Sequence, residues 1–161
     1  MLVLRELRPT DRPALERLIR STNAFREDEV EVALELIDAS PDPAKGYPLV
    51  VAADVDAAQG RDEPVGYACW GLTALSDGAY DLYWIVVDHA QQGRGIGRKL
   101  LEHVRTDVRA RHGRLVVIET SGKPDYAYQR AFYERCGGTL LARYPDFYRL
   151  GDDKLVYLVR P

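Results

Sequence analysis

Apolar and polar positions alternate over residues 2–8, which predicts a first β-strand. Thr10, Asp11, Arg12 and Pro13 then open a helix to about Ser21, with a cap-type residue ahead of a first-turn proline. A second helix over Glu27–Ala39 presents Val30, Ala33, Leu34 and Ile37 on one face and stops before Pro41. Three apolar strands follow at Pro48–Ala53, Val65–Thr73 and Tyr80–Val87; the polar stretch Val55–Pro64 between the first two predicts a hairpin loop. A glycine-rich turn leads into a long helix over Gly95–His112, where Ile96, Leu100, Leu101, Val104 and Val108 recur at helical spacing. Next come a strand at Leu115–Thr120 and a helix at Tyr126–Cys136 closed by Gly137 and Gly138, then strands at Leu140–Tyr148 and Lys154–Val159. An antiparallel meander followed by a strand–helix–strand crossover predicts one α+β domain over residues 1–161. Its mixed central sheet would have about seven strands, flanked by about four helices.

Composition narrows the class. The 161 residues are 46% hydrophobic and 29% charged, enough to fill a core and too apolar for a disordered tail. With 22 Lys and Arg against 25 Asp and Glu, the net charge of −3 gives no support for binding nucleic acid. Apolar runs such as Leu49–Ala53 are far shorter than the ~20 residues of a membrane span, and charge arrives too early at the N-terminus for a signal peptide. Cys69 and Cys136 have no partner at metal-ligand spacing and read as small buried hydrophobes of a reducing cytoplasm. His89, His103 and His112 form no metal motif, so no metal is expected.

The most informative stretch runs from Tyr80 to Leu101. A buried strand enters a turn with Gly93, Gly95 and Gly97 on alternate positions, and an amphipathic helix leaves it. Glycines let backbone approach a ligand closely, and a helix N-terminus offers unpaired N–H donors and partial positive charge, which suits a pyrophosphate. Residues 92–114 hold seven Arg and Lys and two acids, a local +5 in an acidic chain. A plain turn whose glycines only cap and pack is the simpler alternative. A dinucleotide-binding oxidoreductase fingerprint is another, with Glu119 as its acid. Its third glycine, however, would fall at Arg98, and five residues separate strand from first glycine. No Walker loop is present.

Gln92, Gly93, Arg94, Gly95, Ile96 and Gly97 match the coenzyme motif Gln/Arg-x-x-Gly-x-Gly/Ala of the GNAT N-acetyltransferase superfamily, which the chain resembles. Tyr128–Gly137, with Ala131, Phe132, Tyr133 and Glu134, is similar to the family's second motif; Gly138 departs from it where an aromatic is usual. The resemblance covers nearly the whole chain. It implies a GNAT-like fold with a splayed strand pair holding acetyl-CoA, and transfer of acetyl to a primary amine in a ternary complex, without a metal. Position by position, the pyrophosphate would lie on Gln92, Gly93, Arg94, Gly95, Ile96, Gly97 and Arg98. The pantetheine would lie along Ile85, Val86 and Val87, and Tyr126 stands where many relatives place a pantetheine-contacting Asn. Tyr133 would protonate the leaving thiolate. An acyl-CoA sensor of the same fold without turnover is the alternative from another class.

An attacking amine must first lose a proton. At pH 7 this costs about 4–5 kcal/mol for a lysine-like amine and about 1 kcal/mol for an α-amine. A carboxylate base would relieve that cost. Glu119 resembles the glutamate of ribosomal-protein N-terminal acetyltransferases, although 14 residues separate it from Tyr133 where 12 is usual. Asp81 and Tyr83 are the next candidates for base or proton wire. The family builds its acceptor site from the loop between the first two helices and from the last hairpin. Here these bring Phe25 and Glu29, and Tyr148, with Tyr83 beside them. Aromatics mixed with acids suit a cationic amine. A small amine or amino acid and a protein N-terminus are both open as acceptors, and the resemblance also allows a homodimer.

Overall fold

The computed structural model describes residues Met1–Pro161. The elements are β1 (Leu2–Arg5), α1 (Arg12–Ser21), α2 (Glu27–Ala39), β2 (Leu49–Asp56), β3 (Arg61–Leu72), β4 (Ala79–Val87), α3 (Ile96–Ala110), β5 (Leu115–Ser121), α4 (Ala127–Arg135), β6 (Thr139–Arg149) and β7 (Asp152–Val159). The strands form one seven-stranded sheet in the order β1-β2-β3-β4-β5-β7-β6, and the β4–β5 pair is parallel. The expected α+β fold with a mixed sheet and four helices is what forms.

Three boundaries differ from expectation, each for a local reason. β1 ends at Arg5 rather than residue 8, because Pro9 opens a 3-10 turn over Pro9–Asp11 and the Asp11 carboxylate accepts from the Arg8 N–H at 2.8 Å. That turn moves the start of α1 from Thr10 to Arg12. The loop expected over Val55–Pro64 shrinks to Ala57–Gly60: β2 and β3 run on with Asp54 opposite Glu63 and Asp56 opposite Arg61. The Asp56 side chain accepts from the Ala58 and Gln59 N–H groups, and a bulge at Ala52/Ala53 accommodates Pro64 in the ladder.

The chain divides into two units: Met1–Gly71 with Trp84–Val104, and Leu72–Tyr83 with Arg105–Pro161. In the first, Leu15, Leu18 and Ile19 of α1 and Val30, Ala33, Leu34 and Ile37 of α2 pack with Val51, Tyr67, Cys69 and Val86. The α2 residues are the apolar face that the helical periodicity picks out. Arg5 holds the unit's polar side: it donates to both Asp11 oxygens at 2.7 and 2.9 Å and to Asp62 at 3.0 Å. Burial alone would raise the Asp11 carboxyl. The Arg5 guanidinium and the Arg8 N–H outweigh it and hold the group below its ordinary value.

In the second unit Tyr80, Leu82, Val108, Val116, Ile118, Tyr133, Leu155, Tyr157 and Val159 are buried. Gly113 is demanded there, since a Cβ would lie 2.4 Å from Val108 Cγ1 and 2.8 Å from Tyr80 Cε2. The parallel register pairs Ala79–Leu82 with Leu115–Ile118, and beyond it Glu119, Thr120 and Ser121 pair with β7.

Candidate active site

Within the first unit, β4 delivers the chain to the glycine turn. The Asp88 N–H donates to Val65 O at 2.9 Å and its carboxylate accepts from Ala90 N–H at 3.0 Å, closing a short 3-10 turn over His89–Gln91. Gln92 is extended and its amide reaches Val87 O at 3.5 Å. Gly93 and Gly95 both sit at φ +77°, where an L side chain is strained. The third glycine of the motif, Gly97, lies inside α3. The first N–H after the turn to find a backbone carbonyl is Lys99, on Gly95 O at 3.1 Å. The preceding donors of Ile96, Gly97 and Arg98 therefore stand at the helix end, where the macrodipole adds positive charge. A Cβ built on Gly93 or Gly95 meets nothing within 4 Å, so both glycines border open space, and Arg94, Arg98 and Lys99 in and next to the turn are exposed. An anion of diphosphate size fits such a cradle.

Ile96, buried at 4%, seats the turn on the core. Gly66 of β3, which the sequence reading passed over, makes this seat: a Cβ there would lie 2.8 Å from Val86 O and 3.5 Å from Ile96 Cγ2. A lone glycine inside an apolar strand is the signal that could have found it. Val86 is buried, and Ile85 and Val87 are half-buried.

Phe25 and Glu29 also belong to this unit and have local tasks. Phe25 meets Trp84 edge to face at 4.9 Å between centroids. Glu29 accepts from the Arg26 N–H at 2.8 Å and so caps α2.

In the second unit the register puts Asp81 opposite Val117, Glu119 opposite Val156, and Lys154 opposite both Ser121 and Tyr144. Side chains two apart share a face, so Asp81, Glu119, Lys154 and Tyr144 line one face of the sheet. Burial raises the Asp81 carboxyl; the Thr73 hydroxyl opposes this, and the Glu119 charge adds to it. Glu119 is half-exposed and accepts from Lys154 Nζ at 3.1 Å. Lys154, absent from the residues picked out in the sequence, lies 3.9 Å from the centre of the Phe147 ring and 5.1 Å from that of Tyr144. The rings of Tyr144, Phe147 and Tyr148 form a row, with centroids 6.1 and 5.2 Å apart.

Tyr133 is buried in α4 beside Phe132 and Tyr157, at 5.3 and 6.0 Å between ring centres. Burial pushes its phenol above the ordinary value, so it keeps its proton at neutral pH. The α4 terminus explains the departure at Gly138: its N–H donates to Tyr133 O at 2.8 Å, and a Cβ would lie 2.7 Å from that same oxygen. Tyr126 is half-buried in the 3-10 turn before α4, and Tyr83 lies at the margin of exposure. Cys69 is fully buried and its thiol is pushed up to about 12; Cys136 is only half-buried, unlike the expectation. No group of three or more His, Cys, Asp or Glu is placed to hold a metal ion, and no helix is long and apolar enough to cross a membrane.

Comparison with known proteins decides the family. The acetyltransferase (GNAT) domain model matches residues 45–137. The chain belongs to the GNAT acetyltransferase family. A GNAT-family protein from Desulfovibrio desulfuricans is 41% identical, with 99% of each chain covered and a TM-score of 0.92. The GNAT fold recurs in the ribosomal-protein-S18-alanine N-acetyltransferase of Escherichia coli, at 19% identity, 99% and 94% coverage and a TM-score of 0.76. It recurs also in a GNAT-fold structure from Salmonella typhimurium solved with acetyl-CoA, at 20% identity, 99% and 94% coverage and a TM-score of 0.76. No curated protein matches the sequence.

Proposed function

We propose that this GNAT protein is an acetyl-CoA-dependent N-acetyltransferase that moves an acetyl group to a primary amine by direct transfer in a ternary complex. The acceptor is a small amine or amino acid, or a protein N-terminus, and the setting is cytoplasmic, in keeping with two free thiols. One observation carries the reading: Gly93 and Gly95 at φ +77°, both bordering open space, turn the chain into the N-terminal donors of α3, with Arg94, Arg98 and Lys99 exposed in the same stretch. Gln92, Gly93, Arg94, Gly95, Ile96, Gly97 and Arg98 would hold the coenzyme's diphosphate, and Ile85, Val86, Val87 and Tyr126 its pantetheine arm. When bound, the coenzyme supplies an activated acyl thioester.

Two groups of the second unit suit proton transfer. Asp81, raised by burial, takes a proton from an ammonium more readily than an ordinary exposed aspartate does, and Glu119 shares its face. Tyr133 stays protonated and is the proposed acid for the departing thiolate. Tyr83, Tyr148, Phe25 and Glu29 are proposed on the acceptor side, with cap and packing roles already assigned to Glu29 and Phe25.

Free thiol released from acetyl-CoA, followed against a panel of amines, amino-acid amides and short peptides, tests the reading. Acetylated product equal to thiol released is the expected result. Thiol release without acetylated acceptor would make the protein a thioester hydrolase, and CoA binding with no turnover on any amine would leave a CoA-binding module in its place.

A further inference from the structure

The last hairpin carries a cation that is already caged. Lys154 stands near the start of β7, and its ammonium meets three groups: the Glu119 carboxylate at 3.1 Å, the Phe147 ring at 3.9 Å and the Tyr144 ring at 5.1 Å. Its side chain is only 13% exposed, against 50% for Glu119. A surface lysine that merely found a nearby acid would keep its head in water. Here the head is covered by rings and tied to the carboxylate.

The cage is built rather than incidental. The β6–β7 ladder breaks register between Tyr144 and Arg149, which lifts Phe147 and Tyr148 out of the regular pairing. Asp146 takes φ +53° at the apex of this arch. Its N–H donates to Asp153 Oδ1 at 2.9 Å, and its own carboxylate accepts from the Gly151 N–H at 2.7 Å. Arg143 pairs with Asp153 from the other side. The arch is thus pinned by carboxylates at both ends, and the Phe147 and Tyr144 rings lie under one ammonium.

The other charges around Glu119 are accounted for. Asp81 approaches from β4 and interacts with Glu119 as a like charge. Asp152 is engaged elsewhere, by Ser121 Oγ at 2.5 Å and Lys123 Nζ at 3.4 Å. Lys154 is the cation bonded to Glu119.

A carboxylate with two aromatic faces is the chemistry by which a protein recognises an alkylammonium. We propose that Lys154 determines acceptor specificity: its own ammonium fills the cation site formed by Glu119, Phe147 and Tyr144, and so closes the face that carries Asp81 and Glu119 to a second positive charge. The inference rests on the acetyl-transfer reading of this face. It narrows the acceptor to an amine whose remaining part is neutral or anionic, such as an amino acid or the α-amine of a peptide, and it excludes diamines and polyamines. Exclusion works by occupancy and by repulsion together. An incoming second cation would have to displace Lys154 and would also meet its charge.

Two measurements test this, one of which needs no turnover. In the first, n-propylammonium and 1,5-diaminopentane are titrated into wild type and Lys154→Ala by NMR, with Lys154→Met as a second variant that keeps an apolar stem. Saturable binding at least tenfold tighter in Lys154→Ala than in wild type is expected, with Lys154→Met in between. Equal binding to all three proteins overturns the proposal. In the second, kcat/KM is compared for an amino-acid amide and for 1,5-diaminopentane. Wild type and Lys154→Arg should prefer the amide, and Lys154→Ala should shift the ratio at least tenfold toward the diamine. A wild type that prefers the diamine, or an unchanged ratio, overturns the proposal.

The two readings fail separately. If no protein acetylates any amine while the binding difference stands, the cation site holds and the transferase reading falls. If wild type acetylates and neither measurement separates it from the variants, the specificity inference falls alone.

Discussion

Gly95→Ala separates what the turn does for the fold from what it does for a ligand. Gly95 sits at φ +77°, and a Cβ placed there meets nothing within 4 Å. The cost to folding is therefore backbone strain alone, about 1–2 kcal/mol for an L residue in the left-handed region. Alanine also restricts the unfolded chain, which returns about 0.4–1 kcal/mol. The net loss is about 1 kcal/mol, or about 2–4 °C in Tm for a chain of this length. The same arithmetic holds for Gly60→Ala on the β2–β3 hairpin and Gly151→Ala before β7, which have φ +63° and +79° and equally open surroundings. All three variants should lose comparable stability. Of the three, only Gly95 stands in the turn that directly precedes α3, so only there should coenzyme binding suffer. Calorimetric titration with CoA is expected to show at least a tenfold weaker Kd for Gly95→Ala, about 1.4 kcal/mol, and wild-type affinity for the other two. A Gly95→Ala protein that binds CoA like wild type refutes the cradle, as does an equal loss in Gly60→Ala.

Three further outcomes are expected. Asp81 holds its proton more tightly folded than unfolded, so its contribution falls away as pH rises from the ordinary carboxylate value, about 3.9, through the raised folded value. Asp81→Asn should therefore raise Tm at pH 7 while lowering kcat/KM and flattening its acidic limb; a lower Tm would show that the half-buried carboxylate is not a source of strain. Asp11 is the opposite case: its carboxyl is depressed, its stabilisation is complete above the ordinary value, and it is lost as pH falls through the folded one. Asp11→Asn leaves Arg5 with Asp62 as its one carboxylate partner and should cost about 3 kcal/mol in chemical denaturation, near the low end for breaking a buried pair. Tyr133→Phe should lower kcat by about 10²–10⁴-fold with CoA affinity unchanged, and an unaltered kcat measured in single turnover would remove Tyr133 from the chemistry.

What could be read from the sequence was local. The apolar face of α2 follows from helical spacing, and Val30, Ala33, Leu34 and Ile37 form the core with Val51, Tyr67 and Cys69. Gly93 and Gly95 announced a turn between strand and helix, and in the structure both take positive φ there. Hairpin length was less legible, because the outer ends of β2 and β3 are polar and held by register and ion pairs such as Arg61 to Asp54, which leave no apolar pattern. The cage around Lys154 was illegible for a related reason. Lys154 and Glu119 lie 35 residues apart and meet only because β5 and β7 are neighbours in the sheet, and the arch that brings Phe147 over the lysine depends on a break in register. Glu29 carries a local task that an acid near a loop does not announce: in the first turn of α2 its carboxylate is bonded to the Arg26 N–H.

Thermal melting of the purified protein with acetyl-CoA, CoA and NAD in parallel tests the central claim most directly. A ligand at ~100 times its Kd adds about 2.7 kcal/mol to the folded state, about 5–10 °C for a chain of this size. A shift of that order with acetyl-CoA and CoA, and none with NAD, is the predicted result. No shift with either CoA form would contradict the diphosphate cradle on α3 and the transferase built upon it.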